Sequence, residues 1–451
     1  MLWACTLTGS LERGRYLPIF REVAVRAREH LSENKDATLC HNFLSTLQQS
    51  VFNDIFGPLA LDEEVHRVIS SVTLLDSMPG ISLWRGLFKP SGTSQDLWNT
   101  LSRGVFACMD HQSEEATDVR WLKVAFIGIC GRIIFPPDMS SAVDDILSYP
   151  NRGDMRKVRP MIRALEMSLR SAETDTDTFK SIQAFDSGPI WLEMFNKTNC
   201  LSLPNTDVKA EDRAALCSEV EEIIDQIIDH FMANIENTSI NARLDATFGL
   251  VLYSLCITYE LASLPSSLLA SGRILLRTIT ENFITLSYLQ LKDDATIWLQ
   301  YRSYGSGQTA LAFLKTSALS EAPDYIDMDR LEMLANEDIW FEAKDINLGA
   351  WANKNLRAMA QDAGVKDVYD RYYDWTSGFS HAHWGSVRDT VFTTCLNPLH
   401  RLHRIPHPMQ PMPSVLTDCC KLCNRLLDGL NTLYPKFTPR IRWHKPDAVE
   451  S

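Results

Sequence analysis

The stretch from residue 266 to residue 292, SSLLASGRILLRTITENFITLSYLQLK, decides the fold class that the sequence predicts. Its Leu, Ile and Phe residues recur on most sides of a 3.6-residue period, and they do not alternate as they would in a half-buried strand. A helix that is apolar on most sides is largely buried. The stretch therefore predicts a core helix, against which other helices pack.

Helical periodicity continues on both sides of this stretch, and strand alternation is hard to find. A second helical array begins at about residue 207 and opens with a long amphipathic helix that has an acidic outer face. Further helices are predicted near residues 241–264, 294–318, 328–341, 347–363, 366–387 and 413–433. The loop 396–412 is rich in proline, which fixes φ and lacks an N–H donor, so we predict no regular structure there. The sequence predicts an all-α fold.

Length and composition favour two helical domains. A chain of 451 residues exceeds the usual size of one hydrophobic core. Residues 171–206 differ from their surroundings because they are rich in Ser, Thr and Asp and carry two turn signals with proline. We therefore predict an N-terminal helical domain over residues 1–170. A connecting segment with one short packed piece at 190–195 follows over 171–206, and a C-terminal helical bundle covers 207–451.

Charge and hydropathy limit the classes of protein. The formal net charge of −13 argues against a surface that coats nucleic acid in general. The apolar stretches 121–135 and 248–265 are interrupted by charged residues, and neither gives a clean span of about 20 residues. No export signal is recognisable at the N-terminus, so we expect the eleven cysteines to be reduced thiols. A cytoplasmic protein with no membrane partner is expected.

Four polar residues recur along one side of the 266–292 helix. Arg273, Arg277, Glu281 and Tyr288 follow one another at spacings that put them on one stripe. Charges on a mostly buried helix need partners, because an unpaired buried charge is very costly. Two interpretations stay open. Arg277 and Glu281 form a self-satisfied ion pair one turn apart, or Glu281 holds the Arg277 guanidinium in place for an anion.

A second polar stripe lies in residues 369–388, YDRYYDWTSGFSHAHWGSVR. If one helix persists through this segment, Tyr373, Ser377, His381 and Arg388 share a face, together with Trp384. A lone histidine on a helix is usually structural. Two histidines, a serine, an aromatic residue and an arginine within so short a segment favour a functional site.

The combination of these two stripes resembles a bacterial helical family of unknown function. The residues that carry the resemblance are R-x-x-x-E at Arg277 and Glu281, followed about a hundred residues later by Y-x-x-x-S-x-x-x-H at Tyr373, Ser377 and His381. The resemblance covers about residues 210–390. That family is in turn distantly similar to HEPN domains, which are helical bundles of toxins and antiviral ribonucleases.

The HEPN resemblance implies a metal-independent ribonuclease or toxin-type effector in antiviral defence, with RNA as the substrate and a homodimer as the assembly. In active HEPN proteins the histidine of an R-x4-6-H motif is the acid or base at the ribose 2′-hydroxyl, and the arginine stabilises the phosphate. The only R-x5-H here runs from Arg401 to His407 in the proline-rich loop, so Arg277 or Arg388 has to supply the cation in space.

These arguments give a set of candidate site residues. The catalytic candidates are Arg277, Glu281, Ser377 and His381. The ligand-binding candidates are Arg273, Tyr373, His383 and Arg388. The alternative is a non-catalytic helical module in which the same stripes bind a ligand, nucleic acid or protein. The sequence contains no Gly-rich phosphate loop, G-x-S-x-G or H-E-x-x-H motif, so ATP-driven and hydrolase functions of those types lack support.

Histidine and cysteine spacing raises metal binding as another alternative. His381-x-His383 on a helix points its two rings about 200° apart, so one ion is poorly held by both. His400, His403 and His407 run into prolines, which makes their geometry unpredictable. The one C-x-x-C motif, at residues 420–423, lacks a second pair at zinc-finger spacing and favours core packing. We expect no metal and no cofactor.

Overall fold

The computed structural model describes residues 1–133, 140–175, 187–203, 211–237, 239–337 and 351–443. The predicted all-α fold is confirmed, because helices dominate and the strands of the described residues are two segments of three residues. Much of the predicted connecting segment and parts of the helices predicted near 328–341 and 347–363 lie outside the described residues.

The chain divides into two compact units, which are described separately. The first unit contains residues 1–203 and 394–405, and the second contains residues 204–393 and 406–451. The boundary between the two units lies near residue 203. The short packed piece expected at 190–195 is a helix, Gly188–Lys197, whose Ile190 and Met194 are buried in the first core. This piece therefore shares the core of the first unit.

The helices of the first unit are, in chain order, α1 (Leu2–Thr8), α2 (Arg13–Leu31), α3 (His41–Leu44), α4 (Gln49–Ala60), α5 (Glu63–Ser70), α6 (Ile81–Leu87), α7 (Ser94–Met109), α8 (Glu114–Ile129), α9 (Ser140–Leu147), α10 (Met155–Asp175) and α11 (Gly188–Lys197). Short 3₁₀ turns cover Ser71–Leu74 and Pro398–His400. The core contains a cluster of aromatic rings in which Trp3 lies 5.2 Å from Phe56 and Phe52 lies 5.0 Å from Trp84, measured between ring centroids. Both pairs of rings meet edge to face, which is a geometry that aromatic side chains favour.

Helices α1 and α7 approach each other very closely, and glycine permits the approach. A Cβ atom added to Gly104 would lie 2.6 Å from the Cα atom of Thr6, and one added to Gly9 would lie 2.6 Å from the carbonyl of Arg103. These neighbours are backbone atoms, which cannot rotate away. The crossing of α1 and α7 therefore depends on two residues that have no side chain.

A buried carboxylate joins α2 to α8. Asp118 is fully buried, and its two oxygens accept hydrogen bonds from the guanidinium of Arg13, both at 2.9 Å. The hydroxyls of Tyr16 and Tyr149 donate to the same carboxylate at 2.7 and 2.6 Å. A buried charge is tolerated when it is paired and hydrogen-bonded, as this one is. Burial, followed by the charge of Asp118, raises the pKa of Tyr16 far above its usual range.

The helices of the second unit are α12 (Arg213–Ala233), α13 (Ala242–Ser263), α14 (Ala270–Lys292), α15 (Ala295–Ser317), α16 (Met328–Ala335), α17 (Leu356–Asp362), α18 (Lys366–Val368), α19 (Asp374–Ser380), α20 (Trp384–Val391) and α21 (Leu416–Leu433). A π-helical turn covers Tyr369–Tyr373, and a 3₁₀ turn covers Pro265–Leu268. Strands β1 (Phe392–Thr394) and β2 (Arg404–Pro406) pair with each other where the chain leaves the second unit and returns to it.

The core of the second unit forms around α13, α14 and α21. Val251, Ile279 and Leu426 are fully buried in it, one from each helix. The quoted stretch 266–292 is helical from Ala270, because its first residues form the 3₁₀ turn. Cys420 and Cys423 are buried on α21, as core packing predicts.

Helix α13 is the one helix of the described residues that is long and apolar enough to cross a membrane. More than half of its most apolar window is buried within the structure. A core helix of a globular protein meets the same criteria of length and composition, so this finding is weak evidence for a membrane span.

Candidate functional site

Helix α14 presents Arg277 and Glu281 one turn apart, on the side that packs against the π-turn and α19. The Nε atom of Arg277 donates to the Oε1 atom of Glu281 at 2.9 Å. The side chain of Arg277 is 16% exposed and that of Glu281 is 39% exposed, so this pair lies at the edge of the core and not inside it. An ion pair in this position is reachable from solvent.

The segment predicted as one helix over 366–387 is broken in the structure. The helix α18 passes into the π-turn, α19 ends at Ser380, and α20 begins at Trp384. Between α19 and α20, Ala382 has a φ of 51°, a left-handed conformation that a continuing helix excludes. Gly378 permits the turn to fold back, since a Cβ atom added to it would lie 2.5 Å from the Oγ atom of Ser386.

The break changes the predicted stripe. Tyr373 belongs to the π-turn and Ser377 to α19, but His381 is the residue that caps the end of α19. Arg388 lies on a different helix, α20, so the shared face predicted for it does not form. The prediction assumed one continuous helix, and the left-handed residue at 382 removes that continuity.

The guanidinium of Arg277 nevertheless brings the two stripes together. Its Nη2 atom donates to the hydroxyl of Tyr373 at 2.9 Å, and its Nη1 atom lies 3.3 Å from the Nε2 atom of His381. The guanidinium carbon also lies 4.8 Å from the centroid of the Tyr373 ring, in cation–π geometry. Tyr373 stacks on Tyr369, with centroids 4.7 Å apart. The arginine is thus oriented by several contacts.

His381 is exposed, and its Nε2 atom is the ring nitrogen that faces Arg277. A guanidinium can only donate hydrogen bonds, so the Nε2 atom of His381 has to accept in this contact. The tautomer with its proton on Nδ1 meets this requirement. Such a ring accepts a proton through Nε2 and returns it later, once the guanidinium has turned from Nε2 to a bound molecule.

The other sequence-predicted residues occupy different positions. Ser377 is half-buried, and its carbonyl accepts the backbone N–H of His381 at 3.2 Å. His383 is exposed beside His381, with ring centroids 6.0 Å apart. Arg273 is buried and donates to the backbone carbonyls of Ser267 and Pro413.

The contacts of Arg273 separate it from the polar cluster. Burial lowers the pKa of Arg273, and its hydrogen bonds go to backbone groups near the N-terminal end of α14. The cluster formed by Arg277, Glu281, Tyr373 and His381 is called the arginine–histidine site below. Spacing alone could not separate Arg273 from this site, because both arginines lie on one stripe of the same helix.

The sequence predicts only part of a second group of residues. His400 and His403 were candidates for a metal site, and the structure adds Cys200 and Cys395 beside them. Cys395 is near enough in sequence to be noticed, whereas Cys200 is about 200 residues away and is brought there by the fold. All four residues belong to the first unit.

Comparison with known proteins finds a similarity to a family over part of the chain. Residues 261–394 match a family of unknown function (DUF5677). The matched range is under a third of the chain, and it contains Arg277, Glu281, Tyr373 and His381. The resemblance to a family of unknown function is therefore confirmed over this range. No curated protein and no solved structure matches the chain.

Proposed function

We propose that the arginine–histidine site is the active site of a metal-independent, HEPN-like endoribonuclease, which acts as a toxin-type effector in bacterial antiviral defence. The observation that carries this proposal is the 3.3 Å contact between the Nη1 atom of Arg277 and the Nε2 atom of the exposed His381. A cation and a proton acceptor at this separation are close enough to act on one phosphodiester. Residues about a hundred positions apart in the sequence thereby supply what an R-x4-6-H motif supplies locally.

The chemistry assigned to the site is attack by the ribose 2′-hydroxyl on the adjacent phosphorus. Arg277 Nη1 turns from the Nε2 atom of His381 to the phosphate, and the freed Nε2 atom accepts the proton of the 2′-hydroxyl. A bond forms between O2′ and phosphorus, and the bond from phosphorus to the 5′-oxygen breaks. The protonated His381 then donates to the departing 5′-oxygen. Arg277 stabilises the negative charge that develops on the phosphate, while Glu281 and Tyr373 hold its guanidinium in place. The products are a 2′,3′-cyclic phosphate and a 5′-hydroxyl.

A second function is favoured by the same contacts. Glu281, Tyr373 and His381 already occupy the Nε, Nη2 and Nη1 atoms of Arg277. This is also the arrangement of a polar network that fixes the packing of α14 against α19, or of a pocket that binds an anion without reaction. In that case the chain is a non-catalytic module that binds a ligand, nucleic acid or protein.

Cleavage of RNA distinguishes the two functions. The full chain is incubated with end-labelled RNAs of mixed sequence, with no added metal and with or without EDTA. We expect wild type to leave 2′,3′-cyclic phosphate ends under both conditions. His381→Ala removes the proton acceptor and is expected to lower the rate by about 10²–10⁴-fold. Arg277→Ala is expected to lower it by about 10²–10³-fold.

His111→Ala is the matched control. His111 is an exposed histidine of the first unit, and its replacement is expected to leave cleavage unchanged. Absence of cleavage by the wild type, or equal cleavage by wild type and His381→Ala, would rule out the nuclease. RNA retained on a filter by a non-cleaving wild type, and lost with Arg277→Ala, would support the binding module instead.

A further inference from the structure

A cluster of two thiols and two imidazoles lies in the first unit, outside the arginine–histidine site. Cys200 follows α11, Cys395 follows β1, His400 ends the 3₁₀ turn, and His403 precedes β2. One ligand atom from each of the four lies within 4.8 Å of every other. Two cysteines and two histidines are the ligand set of many structural zinc sites.

The distances between these atoms fit one tetrahedral ion. The Sγ atom of Cys200 lies 3.5 Å from the Nδ1 atom of His400 and 3.2 Å from the Nε2 atom of His403. The Sγ atom of Cys395 lies 3.3 Å from the Nδ1 atom of His400. With Zn–S bonds of about 2.3 Å and Zn–N bonds of about 2.0 Å, the sulfur–nitrogen edge of a tetrahedron measures about 3.5 Å.

The far side of the His400 ring is held by a hydroxyl. The Oγ1 atom of Thr198 donates to the carbonyl of Met194 at 2.7 Å and lies 2.9 Å from the Nε2 atom of His400. The side-chain amide of Asn397 also donates to Thr198 Oγ1, at 3.2 Å. Because the proton of the hydroxyl is used by Met194, the Nε2 atom of His400 has to donate to it.

This hydrogen bond determines the tautomer of His400. With its proton on Nε2, the ring presents the lone pair of Nδ1 to the sulfurs of Cys200 and Cys395. A metal-ligating histidine commonly donates its other N–H to an oxygen in this way, and the bond fixes the ring for coordination. One lone pair cannot accept two well-directed S–H bonds, whereas one ion can bind both sulfurs and the nitrogen.

Burial and packing also suit a closed site. Cys395 and His400 are buried, and the ring of Phe195 packs against both imidazoles, at 4.9 Å from His400 and 5.1 Å from His403. Four protein ligands leave no open coordination position, which is typical of a structural site and not of a catalytic one.

We propose that Cys200, Cys395, His400 and His403 bind one Zn²⁺ ion, which fastens the segment 394–405 to the end of α11 within the first unit. Tetrahedral coordination by two sulfurs and two nitrogens favours zinc over magnesium, calcium and manganese, which prefer oxygen ligands. The site is separate from the proposed nuclease, since its residues do not include any of the arginine–histidine site.

The test measures metal in the reduced full chain. We expect the purified protein to contain about one zinc per chain by elemental mass spectrometry, as one four-ligand site requires. Replacement of zinc by Co²⁺ is expected to give the intense visible bands of tetrahedral cobalt and a thiolate-to-cobalt charge-transfer band in the near ultraviolet. Removal of zinc by a chelator is expected to lower the thermal unfolding temperature, because metal binding contributes to folding.

Two variants and one control localise the ion. Cys200→Ser changes an exposed residue and is expected to fold, to lose the charge-transfer intensity of one thiolate and to hold cobalt at least tenfold more weakly. His403→Ala is expected to weaken binding in the same way. Cys256→Ser, at an exposed cysteine of α13, is expected to keep full metal content.

Three results would overturn the proposal. The first is a reduced wild-type protein that takes up neither Zn²⁺ nor Co²⁺ in a titration against a colorimetric chelator. The second is metal content that is the same in Cys200→Ser and wild type. The third is a disulfide between Cys200 and Cys395, found by mass spectrometry of alkylated, unreduced protein that contains no metal.

Discussion

Arg277 owes its orientation to neighbours of three different kinds. A carboxylate takes its Nε atom, a phenol takes Nη2 and lies under the guanidinium plane, and an imidazole takes Nη1. A guanidinium fixed in this manner loses little further conformational freedom when it binds an anion. The remaining N–H groups of the guanidinium are the ones that could reach a phosphate.

Tyr373→Phe tests this orientation. The substitution removes the hydrogen bond to Arg277 and keeps the aromatic ring beneath it. A hydrogen bond to a charged group contributes about 1.5 kcal/mol, so RNA cleavage is expected to slow about tenfold if that energy is lost from the transition state. Steady-state cleavage assays measure the change. Tyr369→Phe is the control, because it keeps the ring that stacks on Tyr373 and leaves the hydroxyl of Tyr373 in place for Arg277. This variant is expected to cleave RNA at the wild-type rate. Equal cleavage rates in the two variants would contradict the role of Tyr373.

Tyr16 makes the first unit sensitive to alkaline pH. Burial and the carboxylate of Asp118 raise the pKa of Tyr16 in the folded state above its unfolded value of about 10. The stabilising neutral form is therefore complete below about pH 10, and its contribution is lost as the pH rises above that value. For each tyrosine whose pKa is raised in the folded state, the free energy of unfolding falls by about 1.4 kcal/mol for every pH unit above about pH 10.

Urea unfolding between about pH 9 and pH 11.5 measures this slope. In Tyr16→Phe the slope is expected to be shallower by about 1.4 kcal/mol per pH unit, although the variant is less stable at pH 8 because it lacks the hydrogen bond to Asp118. An unchanged slope would show that the tyrosine ionises equally in the folded and unfolded chain.

At the scale of elements, the crossing of α1 and α7 depends on backbone contact. Gly104→Ala would place a methyl group 2.6 Å from the Cα atom of Thr6, and neither helix can yield without moving its neighbours. We expect a loss of about 1–3 kcal/mol in the free energy of unfolding, measured by urea denaturation. Gly14→Ala, at a position of α2 with open space around it, is expected to change stability by less than about 1 kcal/mol. Comparable losses in the two variants would contradict the close crossing.

Elements are also where prediction from the sequence succeeds and fails. The core helix α14 can be predicted from residues 270–292, because a helix that is buried on most sides carries apolar residues on most sides. The break after Ser380 does not follow, because alanine favours a helix, whereas Ala382 has a left-handed φ of 51°. The pairing of Arg277 with His381 was proposed from the residue types, but the contact itself depends on how α19 lies against α14.

At the scale of the whole molecule, the first unit is discontinuous in sequence. Residues 394–405 return to it after the chain has formed most of the second unit, and Leu399 is buried in its core. Nothing in the sequence of 396–412 distinguished this segment from an ordinary proline-rich loop. The membership of the segment depends on contacts between residues that are about 200 positions apart, and a local pattern does not encode such contacts.

Leu399→Ala tests this discontinuity in the full chain. A buried leucine replaced by alanine destabilises its own core by about 2–5 kcal/mol. We expect faster amide hydrogen exchange in α7 and α11, which pack against the 3₁₀ turn at Pro398–His400, and unchanged exchange in α13 and α14. Mass spectrometry of peptides measures both. Leu396→Ala, at an exposed leucine of the same segment, is expected to change neither; an effect of Leu399→Ala confined to the second unit would contradict the assignment.

The return of residues 394–405 to the first unit also orders events during synthesis of the protein. A ribosome that has completed residue 203 needs about 200 more residues to reach Leu399, which takes on the order of 10–40 seconds at about 5–20 residues per second. During that interval the nascent first unit lacks a core side chain and three of its four proposed zinc ligands. Its unoccupied apolar surface is then available to chaperones, and metal loading is a late step in the biosynthesis of the chain.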